Sequence, residues 1–100
     1  MKSLPIDARG YRQTPEFTET TIPAGLLRRH ATRPGVWGRI HLLEGALRYR
    51  ILEPVLEEVE LRPGLDGVVE PEVPHEVEPI GRVRFYVEFS RISDSETPSK

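Results

Sequence analysis

Apolar and polar residues alternate with period two through much of the chain, and that period marks half-buried strands. From Trp37 to Leu43, Ile40 and Leu42 fall on one side, with Arg39 and His41 on the other. From Ala46 to Leu52, Leu47, Tyr49 and Ile51 oppose Arg48 and Arg50. The pattern is clearest from Arg82 to Ser90, where Val83, Phe85, Val87 and Phe89 oppose Arg84, Tyr86 and Glu88. It is weaker from Val55 to Leu61. Two shorter segments, Gly67–Pro71 and His75–Glu78, read as strands around a proline-rich corner, and Ile22–Arg29 fits either a strand or one helical turn. Ten prolines and eight glycines exclude long helices. Glu44-Gly45 is expected to be a tight hairpin between the first two strands, with further breaks at Glu53-Pro54 and across Arg62–Gly67. The prediction is a single all-β domain of six to eight short antiparallel strands, closed as a small barrel or sandwich.

Composition narrows the chemistry. One hundred residues support one core and no second one. Fourteen basic and sixteen acidic side chains give a net charge of -2, which is no electrostatic footprint for nucleic acid or an anionic membrane. Twelve of the basic residues are arginine, a bias that suits a heat-adapted protein and a GC-rich genome equally. Cysteine is absent, so disulfides, thiolate metal sites and cysteine nucleophiles are excluded. Metal or acid–base chemistry near neutral pH then falls to His30, His41 and His75 with the carboxylates. The first ten residues lack the apolar segment of a signal peptide, and no run reaches the roughly 20 apolar residues of a membrane span. A cytoplasmic protein is expected, with one domain over residues 1–92 and a loose polar tail over 93–100.

The stretch from Leu27 to Tyr49, which contains His30-Ala-Thr-Arg-Pro-Gly-Val-Trp-Gly-Arg-Ile-His41, resembles the cupin-like domain of the tellurite-resistance protein TehB family. Val69-Glu-Pro-Glu-Val-Pro-His75-Glu-Val-Glu-Pro79 and the closing run Val83–Phe89 extend the likeness, in the same order, over roughly residues 12 to 91. The resemblance implies a small double-stranded β-helix, a jelly-roll barrel, in the stand-alone form without the methyltransferase that some relatives carry. It also implies a divalent metal or small ligand in the barrel and a link to tellurite, other toxic oxyanions or stress. Metal-binding cupins carry two His and a Glu in their first motif. Those positions fall here on Thr32, Pro34 and Gly38, so that segment offers only His30. The second motif retains His75.

A reduced site is therefore expected, with His30 and His75 as ligands and Glu78, Glu70 or Glu88 as the third. Zinc is the first choice by availability, with iron, manganese and nickel open. Strict alternation places Glu78 on the face opposite His75, and Glu88 opposes the apolar face of its own strand. Trp37, Tyr49 and Phe85 are expected to line the pocket. His41 reads as a sheet-surface or interface residue. Arg48, Arg50, Arg82 and Arg84 suit cross-strand ion pairs first and an oxyanion site second. Three functions follow as expectations: a non-enzymatic metal- or ligand-binding protein, a small metal-dependent oxygenase or isomerase, or a structural module that forms a homodimer. No general base or nucleophile pair stands out for the enzyme.

Overall fold

A computed structural model describes residues 1–92 of the chain, and the tail expected over 93–100 lies outside the described residues. The fold is all-β and antiparallel. Its strands are β1 (Ala8–Gln13), β2 (Phe17–Thr18), β3 (Val36–Ile51), β4 (Glu57–Leu61), β5 (Gly67–Val69) and β6 (His75–Ile92). The segment left open between strand and helical turn, near Ile22–Arg29, contains a single 3-10 turn at Ala24–Leu27. Among the described residues no helix is long and apolar enough to cross a membrane.

Two long strands organise everything else. β3 and β6 pair from Val36↔Arg91 to Ile51↔His75, and the sheet runs β1-β6-β3-β4, with β2 beside β6 and β5 beside β3. Glu44-Gly45 is therefore not a hairpin. The two strands expected on either side of it are one strand that bends at a bulge, with register shifts between Leu42 and Glu44 and between Gly45 and Ala46. β6 likewise joins the two segments expected at His75–Glu78 and Arg82–Ser90, through Gly81. Gly45 and Gly81 have φ of 80° and 68°, a region open to glycine at little steric cost. The bulge also switches the buried face of β3, from even positions (Val36, Ile40, Leu42) to odd ones (Leu47, Tyr49, Ile51). Each half of the bent ladder thereby turns its apolar side to the same core.

That core holds Ile40, Leu42, Leu47, Tyr49, Leu61, Val69, Val77, Val83 and Phe85 among others, with Phe17, Leu26 and Phe89 packed against it. Val55 and Leu56 do not belong to β4 but stand exposed in the loop 52–56, which joins β3 to β4 between the paired residues Ile51 and Glu57.

On the outer face of β3, β4 and β6, Arg50 donates to Glu58 and Glu76 at 2.9 Å each and also to Glu78, while Arg48 reaches Glu78 at 3.4 Å. Arg84 bridges Glu16 and Glu44. These arginines form cross-strand ion pairs, and the Arg50 guanidinium holds the Glu78 carboxyl below the usual carboxylate range. Solvent-facing pairs contribute little. Arg50→Gln is accordingly expected to lower the melting temperature by at most about 5 °C, with the difference shrinking in molar salt; paired thermal melts at low and high salt check this.

Candidate functional site

His30 and His75 are brought together by the backbone. They form an isolated antiparallel bridge outside the named strand pairs, with His30 N–H donating to the His75 carbonyl at 3.0 Å and His75 N–H to the His30 carbonyl at 2.8 Å. Directly opposed residues on antiparallel strands project to the same side, and the two imidazoles lie 4.1 Å apart between ring centres at a tilt of 55°. His75 is the firmer of the two. It is 3% exposed, pairs with Ile51 on its other side, and packs edge-on against Tyr49 at 5.8 Å.

The protonation pattern follows from the partners. His75 Nδ1 lies 2.9 Å from the Val73 carbonyl, and a carbonyl only accepts, so Nδ1 carries the hydrogen and Nε2 keeps its lone pair. Burial, with a smaller opposing effect from that hydrogen bond and a further push from His30, lowers the His75 pKa to about 4. At neutral pH it is an uncharged acceptor. His30 Nδ1 is buried and has no hydrogen-bond partner among the described residues, which is costly in a protein interior unless something else satisfies it. The Tyr49 hydroxyl is occupied, donating to the Val68 carbonyl at 2.9 Å, and burial pushes its pKa up.

Both histidines line a cavity of about 330 Å³, near the lower end of the roughly 300–1,000 Å³ of small-molecule sites. The N-terminal segment covers one side of it with Arg12, Thr14, Phe17 and Leu26. The inner faces of β3, β5 and β6 supply Gly38, Ile40, Val69, Val77, Phe85, Val87 and Phe89. The walls are almost wholly apolar, and no Asp or Glu among the described residues lines them. Gly38, in the place where a metal-binding cupin has its Glu, leaves its volume to the cavity; a Cβ there would stand 3.2 Å from the Val69 Cβ.

The other candidates are dispersed. Phe85 forms part of the wall, edge-on to Phe17 at 5.6 Å. Tyr49 stands behind His75 and does not reach the cavity, and Trp37 lies on the alternate side of β3 from Ile40. Glu78 faces out to Arg48 and Arg50, two residues' alternation having placed Val77 inward in its stead. Glu88 accepts from His41 Nε2 at 3.0 Å on the outer face, and Glu70 sits 3.6 Å from Lys2. Among the described residues no three His, Asp or Glu side chains converge as a metal site. A cupin set of three His and one Glu does not fit this cavity. His41 is engaged on the sheet surface, stacked on Tyr86 at 4.5 Å and flanked by Asp66 and Glu88.

Alternation did not find Arg12, Phe17 or Leu26. β1 is almost entirely exposed, β2 is two residues long, and the 3-10 turn buries nothing fully. None of these carries a periodic signal.

A family model described as the TehB-like domain matches residues 12–87. The chain belongs to the TehB-like domain family. The matched range begins at Arg12 and includes every other cavity residue named above except Phe89. The uncharacterized protein YeaR of Escherichia coli strain K12 is 38% identical over 52 residues, 49% of this chain and 44% of YeaR. YeaR of Escherichia coli O157:H7 aligns to the same extent. Two crystal structures share the fold of this TehB-like domain. A protein from Escherichia coli strain K12 has a TM-score of 0.80 at 28% identity, covering 90% of this chain and 96% of that one. TehB from Haemophilus influenzae has a TM-score of 0.79 at 25% identity, covering 87% of this chain and 32% of TehB. The chain thus matches less than half of YeaR's length and about a third of TehB's.

Proposed function

We propose that this TehB-like domain is a non-enzymatic binding module whose cavity seats a small ligand against His30 and His75. The buried Nδ1 of His30, without a partner among the described residues, beside the neutral His75 ring with its Nε2 lone pair carries this reading. A few polar groups set into an otherwise apolar chamber are the usual plan of a small-molecule site. Among the described residues no carboxylate lines the cavity, and His75, its pKa lowered to about 4, is a weak proton acceptor, which favours binding over turnover. We read the bent ladder as a cupin-like double-stranded β-helix, and tellurite, toxic-oxyanion or stress resistance as the setting in which such a module works.

A divalent ion is a second reading, supported by the Val73 carbonyl that holds His75 Nδ1 and presents Nε2, the arrangement of metal-bound histidines. Two imidazoles on one zinc stand with ring centres roughly 5 Å apart, so these rings, at 4.1 Å, would have to swing apart to share an ion. Water or an exogenous ligand would have to complete the coordination.

Metal analysis and thermal shift on the purified chain test both readings. The probes are zinc, iron, manganese and nickel salts and a panel of small organic molecules. At least one probe is expected to raise the melting temperature of wild type, and His30→Ala and His75→Gln to lose that rise. His41→Ala, whose ring lies outside the cavity, is expected to retain it. No rise from any probe contradicts the binding function; a rise that survives both cavity variants contradicts the site.

A further inference from the structure

The cavity adjoins a groove lined by Tyr11, Arg12, Arg33 and Arg91, and the two share Arg12, Leu26, His30, Thr32 and Phe89. The arginines of this groove differ from those of the outer ladder. Arg48, Arg50 and Arg84 are each matched by carboxylates, whereas Arg12, Arg33 and Arg91 have none within 4.0 Å among the described residues. Among the described residues no Asp or Glu lines the groove either. Two of these guanidinium groups are laid over aromatic rings, Arg12 over Phe89 at 5.7 Å and Arg91 over Tyr11 at 5.1 Å. Such stacking holds a planar cation in place while its N–H edges stay available.

Charge and polarity therefore differ between the groove and the cavity. The groove is cationic and the chamber it adjoins is apolar, and in that chamber His75 is a neutral imidazole whose Nε2 is a lone pair. An anion would be repelled by that lone pair and would lose its hydration among the apolar walls. In the groove it would meet guanidinium donors in the bidentate geometry that suits oxyanions.

We propose that the ligand is an amphipathic organic anion, its apolar body in the cavity and its carboxylate or phosphate head on Arg12, with Arg33 and Arg91 adding positive field. The proposal rests on the cavity being a ligand site and specifies which class of ligand enters it and in which orientation. An inorganic oxyanion alone lacks the body that the apolar walls would bury.

Calorimetric titration of the full chain with benzoate, phenyl phosphate, benzyl alcohol, inorganic phosphate, nitrate and tellurite tests it. At least one of the two organic anions is expected to bind at least tenfold more tightly than benzyl alcohol and than any inorganic anion. The tighter of benzoate and phenyl phosphate identifies the head group. Arg12→Gln is expected to weaken that anion at least tenfold and to leave benzyl alcohol unchanged, which also shows that the cavity is intact. Equal binding of benzyl alcohol and the organic anions, insensitive to Arg12→Gln, overturns the anionic class while leaving the cavity a ligand site. An inorganic anion that binds as well as the organic ones overturns the proposal too, since the apolar body then contributes nothing. If no organic probe binds, charged or neutral, the reading of the cavity falls with it.

Discussion

Replacing Gly45 with alanine is expected to destabilise the domain by roughly 2–5 kcal/mol and to lower its melting temperature by roughly 8–40 °C. Two effects combine. A φ of 80° costs an L-residue about 1–2 kcal/mol. The added Cβ would also stand 1.9 Å from the Arg82 carbonyl oxygen and 3.1 Å from the Val83 Cα. Those are backbone atoms of the partner strand, so the bulge itself must move, at about 1–3 kcal/mol more. Gly81, at φ 68° on the opposing strand, isolates the first effect, because no atom of the described residues lies within 4 Å of its hypothetical Cβ. Gly81→Ala is expected to cost only about 1–2 kcal/mol. Denaturant melts of the two variants side by side check the account; equal losses would show that the contact with Arg82 does not matter.

The same glycine shows where sequence reasoning stopped. Alternation identified the strand content of both arms of β3 and of β6 and most of the core, because each arm has one wet and one dry side. It did not show that Glu44-Gly45 joins the arms of one strand. A bulge and a hairpin both interrupt the period and both favour glycine at positive φ. The switch of the dry face from even to odd residues was present in the sequence at Leu42 and Leu47, and a hairpin accounts for it equally well.

For the site, residue type and order singled out His30 and His75, but their two-bond bridge depends on pairing across 45 positions, to which local periodicity is blind. The parity of β6 already disfavoured Glu78 and Glu88, and the outer arginine and His41 take them. Arg12 was illegible for a different reason: nearly all of β1 faces water, and its role comes from what it stands beside.

Acid is expected to unfold the domain through His75. Its ordinary pKa of 6.5 falls to about 4 in the fold, mainly because burial disfavours the charged ring. Below pH 6.5 the unfolded chain therefore binds a proton that the folded chain refuses, so stability falls as pH drops. The loss levels off below pH 4, once the ring is protonated in both states. Over that window it amounts to about 3 kcal/mol, and about 2 kcal/mol is already gone at pH 5. Glu44 and Glu78, held low by their arginines, titrate below their ordinary 4.5 and leave the upper part of the window to histidine. His75→Gln is expected to flatten the stability profile between pH 6.5 and 5, whatever its cost at pH 7. Denaturant melts at half-unit steps of pH measure it; an unchanged slope in the variant would place the acid sensitivity elsewhere.

The central claim is that the His30–His75 pair belongs to a ligand site. Imidazole nitrogen NMR of the isotopically labelled full chain tests it most directly, because the three histidines report separately. On titration with the probe that gives the largest thermal rise, the ring resonances of His30 and His75 are predicted to move together and to saturate. Those of His41, held on the outer face by Asp66 and Glu88, are predicted to stay in place. Saturable binding that leaves both cavity rings unmoved, or that moves His41 alone, would contradict the account.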